Sequence, residues 1–164
     1  MFGPFRRAVR AGGFLLVPAV LAVALAEPLV FPSLGPSAYL LAVRPDDDAA
    51  TPRRVVVGHT LGALAGFVAY HLVAAPATLV ALPPAQSLAM ASLIVSATLS
   101  VVLTTTAMEG TDARHAPAAA TTLIVSLGLL ATPLDVLLIV FAVAALVGTQ
   151  LAFDAATDHR RVPT

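Results

Sequence analysis

The chain has 164 residues, 59% of them hydrophobic and 11% charged, with nine arginines, no lysine, nine acidic residues and no cysteine. A water-soluble domain carries about 45–50% apolar and about 25% charged residues, so this chain has too little polar surface to cover itself in water and belongs in a bilayer. Zero formal net charge removes the basic footprint that nucleic acid needs, and the missing cysteines exclude disulfides, zinc knuckles and thiol catalysis.

The charges fall in short clusters, and the intervals between clusters define the predicted elements. The first span runs Ala8–Val30, interrupted by Pro18 and ended by Glu27-Pro28. Its order of Arg6-Arg7, an apolar run from Phe14 and Ala24-Leu25-Ala26 imitates a cleaved signal peptide. It is read here as a retained span, because a shift of 81 residues lays Arg7–Glu27 onto Leu88–Met108 and cleavage would delete one arm of that repeat. The next apolar stretch, Ser33–Val43, is too short to cross as a straight helix and is opened by Pro32-Ser33-Leu34-Gly35-Pro36-Ser37.

From Val55 to Met108 there is no Arg, Asp or Glu. At about 20 apolar residues per crossing this run holds two spans, Arg54–Ala75 and Gln86–Ala107, joined by the proline-bearing turn Pro76 to Ala85. A second short stretch, His115–Leu130, is opened by His115-Ala116-Pro117. The last span, Pro133–Phe153, is closed by Asp154, Asp158, Arg160 and Arg161. The predicted fold class is an all-α membrane protein: four full-length transmembrane helices and two short proline-opened half-helices, forming a single membrane domain over 1–164.

The order long, short, long occurs twice, in halves of about 7–75 and 86–156, and Pro36, Pro52, Val55 and Ala63 match Pro117, Pro133, Val136 and Ala144 at the same shift. Duplication with interrupted helices in matching positions is a pointer to transporter architecture. If both short segments cross, every arginine cluster falls on one face and the second half is inverted relative to the first. Re-entrant loops would instead strand Arg44, Arg53, Arg54 and Arg114 outside. The arginine rule therefore favours crossing, with both termini cytoplasmic; the Lys-free, Arg-only basic usage with Asp46-Asp47-Asp48 points to a prokaryotic plasma membrane.

Within the spans, Gly58, Gly62 and Gly66 form a small-residue stripe that reads as a packing seam, internal or between two copies of a homodimer. Ser92, Ser96, Ser100 and Thr104 form a second stripe with the same packing reading. His59 stands beside the glycine seam, and an ionisable residue inside a span is either a functional group or a neutral, bonded structural one. Half-helix starts leave backbone N–H groups unpaired and favour anions. Ser33, Gly35 and Ser37 at one start and Arg114 and His115 at the other, facing each other near His59, are together with His59 the predicted substrate-binding residues. The bland alternative is that Ser33, Ser37 and His115 only cap their own helices. No catalytic, cofactor or metal motif is legible: H-E-x-x-H, the P-loop and G-x-S-x-G are absent, and His59 and His71 are too far apart on their helix to share a face.

At these residues the chain resembles the HPP family of integral membrane proteins, whose pattern runs P-F-G-A-S-A, then P-R-N-x-x-G-G-H, then H-P-P-A-G-A-T-A. The corresponding segments here are Leu34-Gly35-Pro36-Ser37-Ala38, then Pro52-Arg53-Arg54-Val55-Val56-Val57-Gly58-His59, then His115-Ala116-Pro117-Ala118-Ala119-Ala120-Thr121-Thr122. Ala116 replaces the first proline of the naming motif and Arg54 replaces the asparagine. The resemblance implies a compact four-spanning protein, with nitrite transport proposed for plastid and cyanobacterial relatives. Together these readings predict a non-enzymatic transporter or channel for a small inorganic anion, its partners being the lipid bilayer, that anion and a second copy of the chain. The competing expectation is a membrane scaffold in which the same residues only pack helices.

Overall fold

The computed structural model describes residues 3–158. Seven α-helices follow in order: α1 Gly3–Phe14, α2 Leu16–Leu25, α3 Leu34–Val43, α4 Pro52–Ala69, α5 Leu88–Gly110, α6 Ala118–Ser126 and α7 Pro133–Asp158. Four stretches are long and apolar enough to span a bilayer: Gly3–Leu25, Pro52–Ala74, Leu88–Gly110 and Pro133–Thr157. Large apolar side chains cover their outer surfaces, among them Val23, Leu72, Leu88 and Leu137.

Local chemistry explains the boundaries. The ring of Pro18 has no N–H and collides with the carbonyl four residues earlier, that of Phe14, so the predicted interruption falls at Leu15, between α1 and α2. Pro52 occupies the first turn of α4, where a missing N–H leaves nothing unpaired. A π-helical turn, Tyr70–Ala74, then extends α4 to the predicted end of its span. Ser87 caps α5 by accepting from the Met90 N–H at 3.1 Å. Thr132 and Asp135 cap α7 reciprocally, each side chain accepting from the other's backbone N–H. The second short segment is shorter than predicted: α6 stops at Ser126 and irregular chain continues to Thr132. Arg160 and Arg161 lie outside the described residues.

Contacts along the helices fix their directions. The start of α4 meets the α5–α6 loop through Arg53 and Arg54, and His71 at its far end donates from Nε2 to the Ala131 carbonyl at 3.0 Å. Between these ends, Gly58, Gly62 and Gly66 lie against Ala113 and His115, then Ala118, then Thr122 and Val125, so α6 runs parallel to α4. Ser96 reaches the Ser126 carbonyl and Thr104 reaches Thr122, which sets α5 antiparallel to both. Helix α7 returns and brings Asp154 to Arg10 of α1.

Ser33 meets Thr121 while Ser37 meets His115, so α3 is antiparallel to α6. Arg44, at the end of α3, shares a cavity wall with Arg6, Arg7 and Arg10, and the adjoining Asp48 pairs with Arg54. All seven arginines of the described residues therefore gather at one end of the bundle, as crossing short segments require. At 1.5 Å per residue α3 is only about 15 Å long, half of a hydrocarbon core. Non-helical chain precedes α3, and in it Leu29 and Phe31 are buried against the bundle while Val30 is exposed.

The glycine stripe is what allows α4 and α6 to touch. A Cβ on Gly62 would stand 2.7 Å from the Ala118 carbonyl oxygen, and one on Gly66 2.6 Å from that of Thr122. The seam is thus internal. It is filled by α6 and is not available as the homodimer surface that the sequence alone allowed. The serine stripe of α5 packs on the opposite flank of α6, through Ser96 to Ser126 and Thr104 to Thr122 at 2.9 Å each.

Candidate functional site

Where α3, α4 and the start of α6 cross, five polar side chains meet inside the bundle. Ser33 immediately precedes α3 and Ser37 stands one turn later, His59 is two turns into α4, His115 precedes α6, and Thr121 lies in its first turn. All five have 0% exposure. Such groups are stable at this depth only when hydrogen-bonded to one another.

The bonds form one chain. Ser33 Oγ lies 2.6 Å from Thr121 Oγ1, which lies 2.6 Å from His59 Nδ1. His59 Nε2 is 2.8 Å from Ser37 Oγ, and Ser37 Oγ is 2.9 Å from His115 Nε2. His115 Nδ1 ends the chain on the Ala49 carbonyl at 2.8 Å. A carbonyl only accepts, so His115 Nδ1–H donates to Ala49, and with both rings neutral His115 Nε2 must accept from Ser37. It follows that His59 Nε2–H donates to Ser37, Thr121 donates to His59 Nδ1, and Ser33 donates to Thr121. Ser37 has a second acceptor within reach, the Ser33 carbonyl at 3.2 Å. If His115 gains a proton and donates from both nitrogens, the Ser37 hydroxyl can turn to that carbonyl and accept from both rings at once. The cluster can therefore hold one extra proton without breaking.

A polar clamp at the arginine end fixes the outer terminus of this chain. Arg53 donates to the carbonyls of Thr111 and Asp112 at 2.9 and 3.2 Å. Arg54, the residue that departs from the family pattern, donates to the Asp112 carboxylate at 2.9 Å and pairs with Asp48 at 3.3 Å. The loops bearing Ala49 and His115 are thereby tied to the start of α4. The hydrogen bond and charge of Arg54, with Arg114 and Arg53 nearby, hold the Asp112 carboxyl below the ordinary carboxylate value. Its folded-state pKa is depressed, so its contribution to stability is fully present above pH 3.8 and is lost as pH falls through the lower folded value. Asp112→Asn is expected to flatten the acid limb of the melting temperature against pH and to leave the neutral region nearly level, because the pair is exposed.

Of the sequence-predicted residues, Ser33, Ser37, His59 and His115 come together, and two do not. Gly35 is on the exposed face of α3, with nothing within 4 Å of where a Cβ would stand. Arg114 is 57% exposed and paired with Glu109 at 2.9 Å and Asp112 at 3.5 Å. Each sits next to a buried residue in sequence, and the helical turn rotates it away. The two half-helix starts also do not face each other end to end, because α3 and α6 overlap side by side in opposite directions. Sequence reasoning missed Thr121, whose signal was a hydroxyl one and a half turns after His115, and the Ala49 carbonyl, which has no side-chain signal at all.

Four bilayer-length helical stretches, two short helices and a histidine and hydroxyl centre closed between them define a polytopic integral membrane protein. The chain belongs to the HPP transmembrane-region family, which matches it over residues 5–163. Among curated proteins and among solved structures nothing matches it.

Proposed function

We propose that this protein transports a small inorganic anion across the membrane together with a proton, the proton being held by the His59, Ser37 and His115 unit. One observation carries the reading: two imidazoles share a single hydroxyl at the crossing of both short helices, in a five-residue cluster that contains no carboxylate. Imidazole is a side chain able to take up and release a proton, and a buried positive charge is stabilised by a negative solute beside it. Interrupted helices at the bundle centre are the usual place for such a site in transporters, and the opposite directions of the α1–α4 and α5–α7 segments support two inverted halves. The cluster is closed in this arrangement, so transport involves an opening between α3 and α6. Nitrite is the proposed cargo by family resemblance, and the same chemistry suits nitrate.

The test is uptake into proteoliposomes loaded with buffer, comparing nitrite, nitrate, formate and chloride with and without a pH gradient. Faster nitrite uptake into an alkaline interior supports the proposal; uptake equal to that of protein-free vesicles for all four anions, or indifferent to the gradient, overturns it. One observation favours the scaffold reading: every polar atom of the cluster already has a partner, since the buried orphan atoms among the described residues are Arg10 Nε and Gln150 Oε1. A scaffold shows no flux under any gradient.

Orientation is proposed with the arginine end cytoplasmic. Because the chain has no cysteine, single substitutions report sidedness directly. Asp46→Cys and Thr111→Cys are expected to react with an impermeant maleimide from the cytoplasmic side only, and Val80→Cys, 76% exposed near the far end, from the other side only.

A further inference from the structure

The arginines of the described residues divide into two sets. Arg53, Arg54 and Arg114 are engaged by Asp112, Glu109, Asp48 and loop carbonyls, and Arg10 by Asp154. Among the described residues Arg6, Arg7 and Arg44 have no ion pair or side-chain hydrogen bond. These three line, with Arg10, a cavity of about 720 Å³ between the first turns of α1, the end of α3 and the last turns of α7. The lining holds four guanidinium groups against the carboxylates of Asp46 and Asp47, a surplus of two positive charges, one of which is met by Asp154.

A second cavity of about 470 Å³ adjoins the first, sharing Arg6, Arg10 and Phe153, and continues along the outer groove between α1 and α7 over Val9, Gly13, Phe14 and Leu16. Its walls are apolar below the arginines. At the junction the Arg10 guanidinium lies over the rings of Phe14 and Phe153, at 5.3 and 5.2 Å, and its Nε is buried without an acceptor. An unpaired buried donor calls for an acceptor that the protein does not provide.

We propose that this end of the molecule binds an anionic phospholipid, its phosphate in the arginine cavity and one acyl chain along the α1–α7 groove. A soluble anion would use the charge and gain nothing from the groove, whereas a zwitterionic lipid would use the groove and gain little from the surplus charge. Basic pockets between helices at the membrane surface suit anionic headgroups. The proposal is independent of the buried cluster, shares no residue with it, and holds whether or not the protein transports an anion.

The experiment titrates the purified full chain in neutral detergent with phosphatidylglycerol, phosphatidylcholine or glycerol phosphate, reading the melting midpoint and the bound lipid by native mass spectrometry. Phosphatidylglycerol is expected to raise the midpoint and to remain bound. Arg7→Gln and Arg44→Gln, which remove no ion pair, are each expected to weaken it about fivefold without shifting the lipid-free midpoint. Gly13→Trp, which fills the groove, is expected to abolish the effect. Equal binding of phosphatidylcholine, equal binding of glycerol phosphate, or retention of the preference in both arginine variants would each overturn the proposal.

Discussion

Ser37→Ala is expected to remove proton-driven uptake while leaving a folded protein. Among the described residues the hydroxyl is the one atom hydrogen-bonded to both imidazoles, at 2.8 Å from His59 Nε2 and 2.9 Å from His115 Nε2. Without it the rings keep their outer partners, Thr121 Oγ1 and the Ala49 carbonyl, so positions are retained but the path for a proton is cut. Interhelical hydrogen bonds in membranes contribute about 0.6 kcal/mol on average, and leaving two buried ring nitrogens unpaired raises the loss to about 1–3 kcal/mol. A drop in gradient-driven uptake of about tenfold or more, the equivalent of about 1.4 kcal/mol in the transport barrier, is the expected result. Ser92→Ala is the control, since that hydroxyl only bonds back to the Ala89 carbonyl of its own helix. The informative pairing is uptake with melting temperature: a variant that melts lower but transports at the wild-type rate would assign Ser37 to packing alone.

Gly62→Ala and Gly66→Ala are expected to be strongly destabilising single-methyl additions. The new Cβ would meet a backbone carbonyl at 2.7 or 2.6 Å, and backbone has no rotamer by which to withdraw. Overpacking of this kind costs about 1–3 kcal/mol per site, so each variant should melt well below wild type and the double variant should fail to accumulate. Gly148→Ala on α7 is the reference, with nothing within 4 Å of its added methyl. There the better helix propensity of alanine should leave stability unchanged or raise it by up to about 1 kcal/mol. Wild-type melting for Gly62→Ala would mean that α4 and α6 are not in backbone contact, and the cluster they hold together would lose its support. Gly58→Ala is a graded version of the same experiment, because its Cβ would press on His115 Cβ at 2.9 Å and shift the ring as well as the helix.

Much of the architecture was legible because bilayers impose one-dimensional rules. An uncharged run from Val55 to Met108 must hold two spans, and the observed helices end within a few residues of the predicted bounds. The side of each helix that faces inward was less legible. Helix α3 is apolar nearly all round, so nothing in its periodicity separated Ser37, which is buried, from Gly35, which is not. Arg114 and His115 are neighbours in sequence, yet one pairs with Glu109 at the surface and the other is sealed beneath Ala49.

Composition and charge spacing alone determined that this chain is an integral membrane protein and which four stretches are long and apolar enough to span a bilayer. These follow from length and polarity, which a linear sequence states directly. Only the tertiary structure decided that the glycine stripe meets α6 rather than another copy, that Thr121 and the Ala49 carbonyl complete the polar chain, and that Gly35 and Arg114 stand outside it. Those outcomes depend on helix rotation and on which segments cross, and both are settled by close packing between elements that are far apart in the chain.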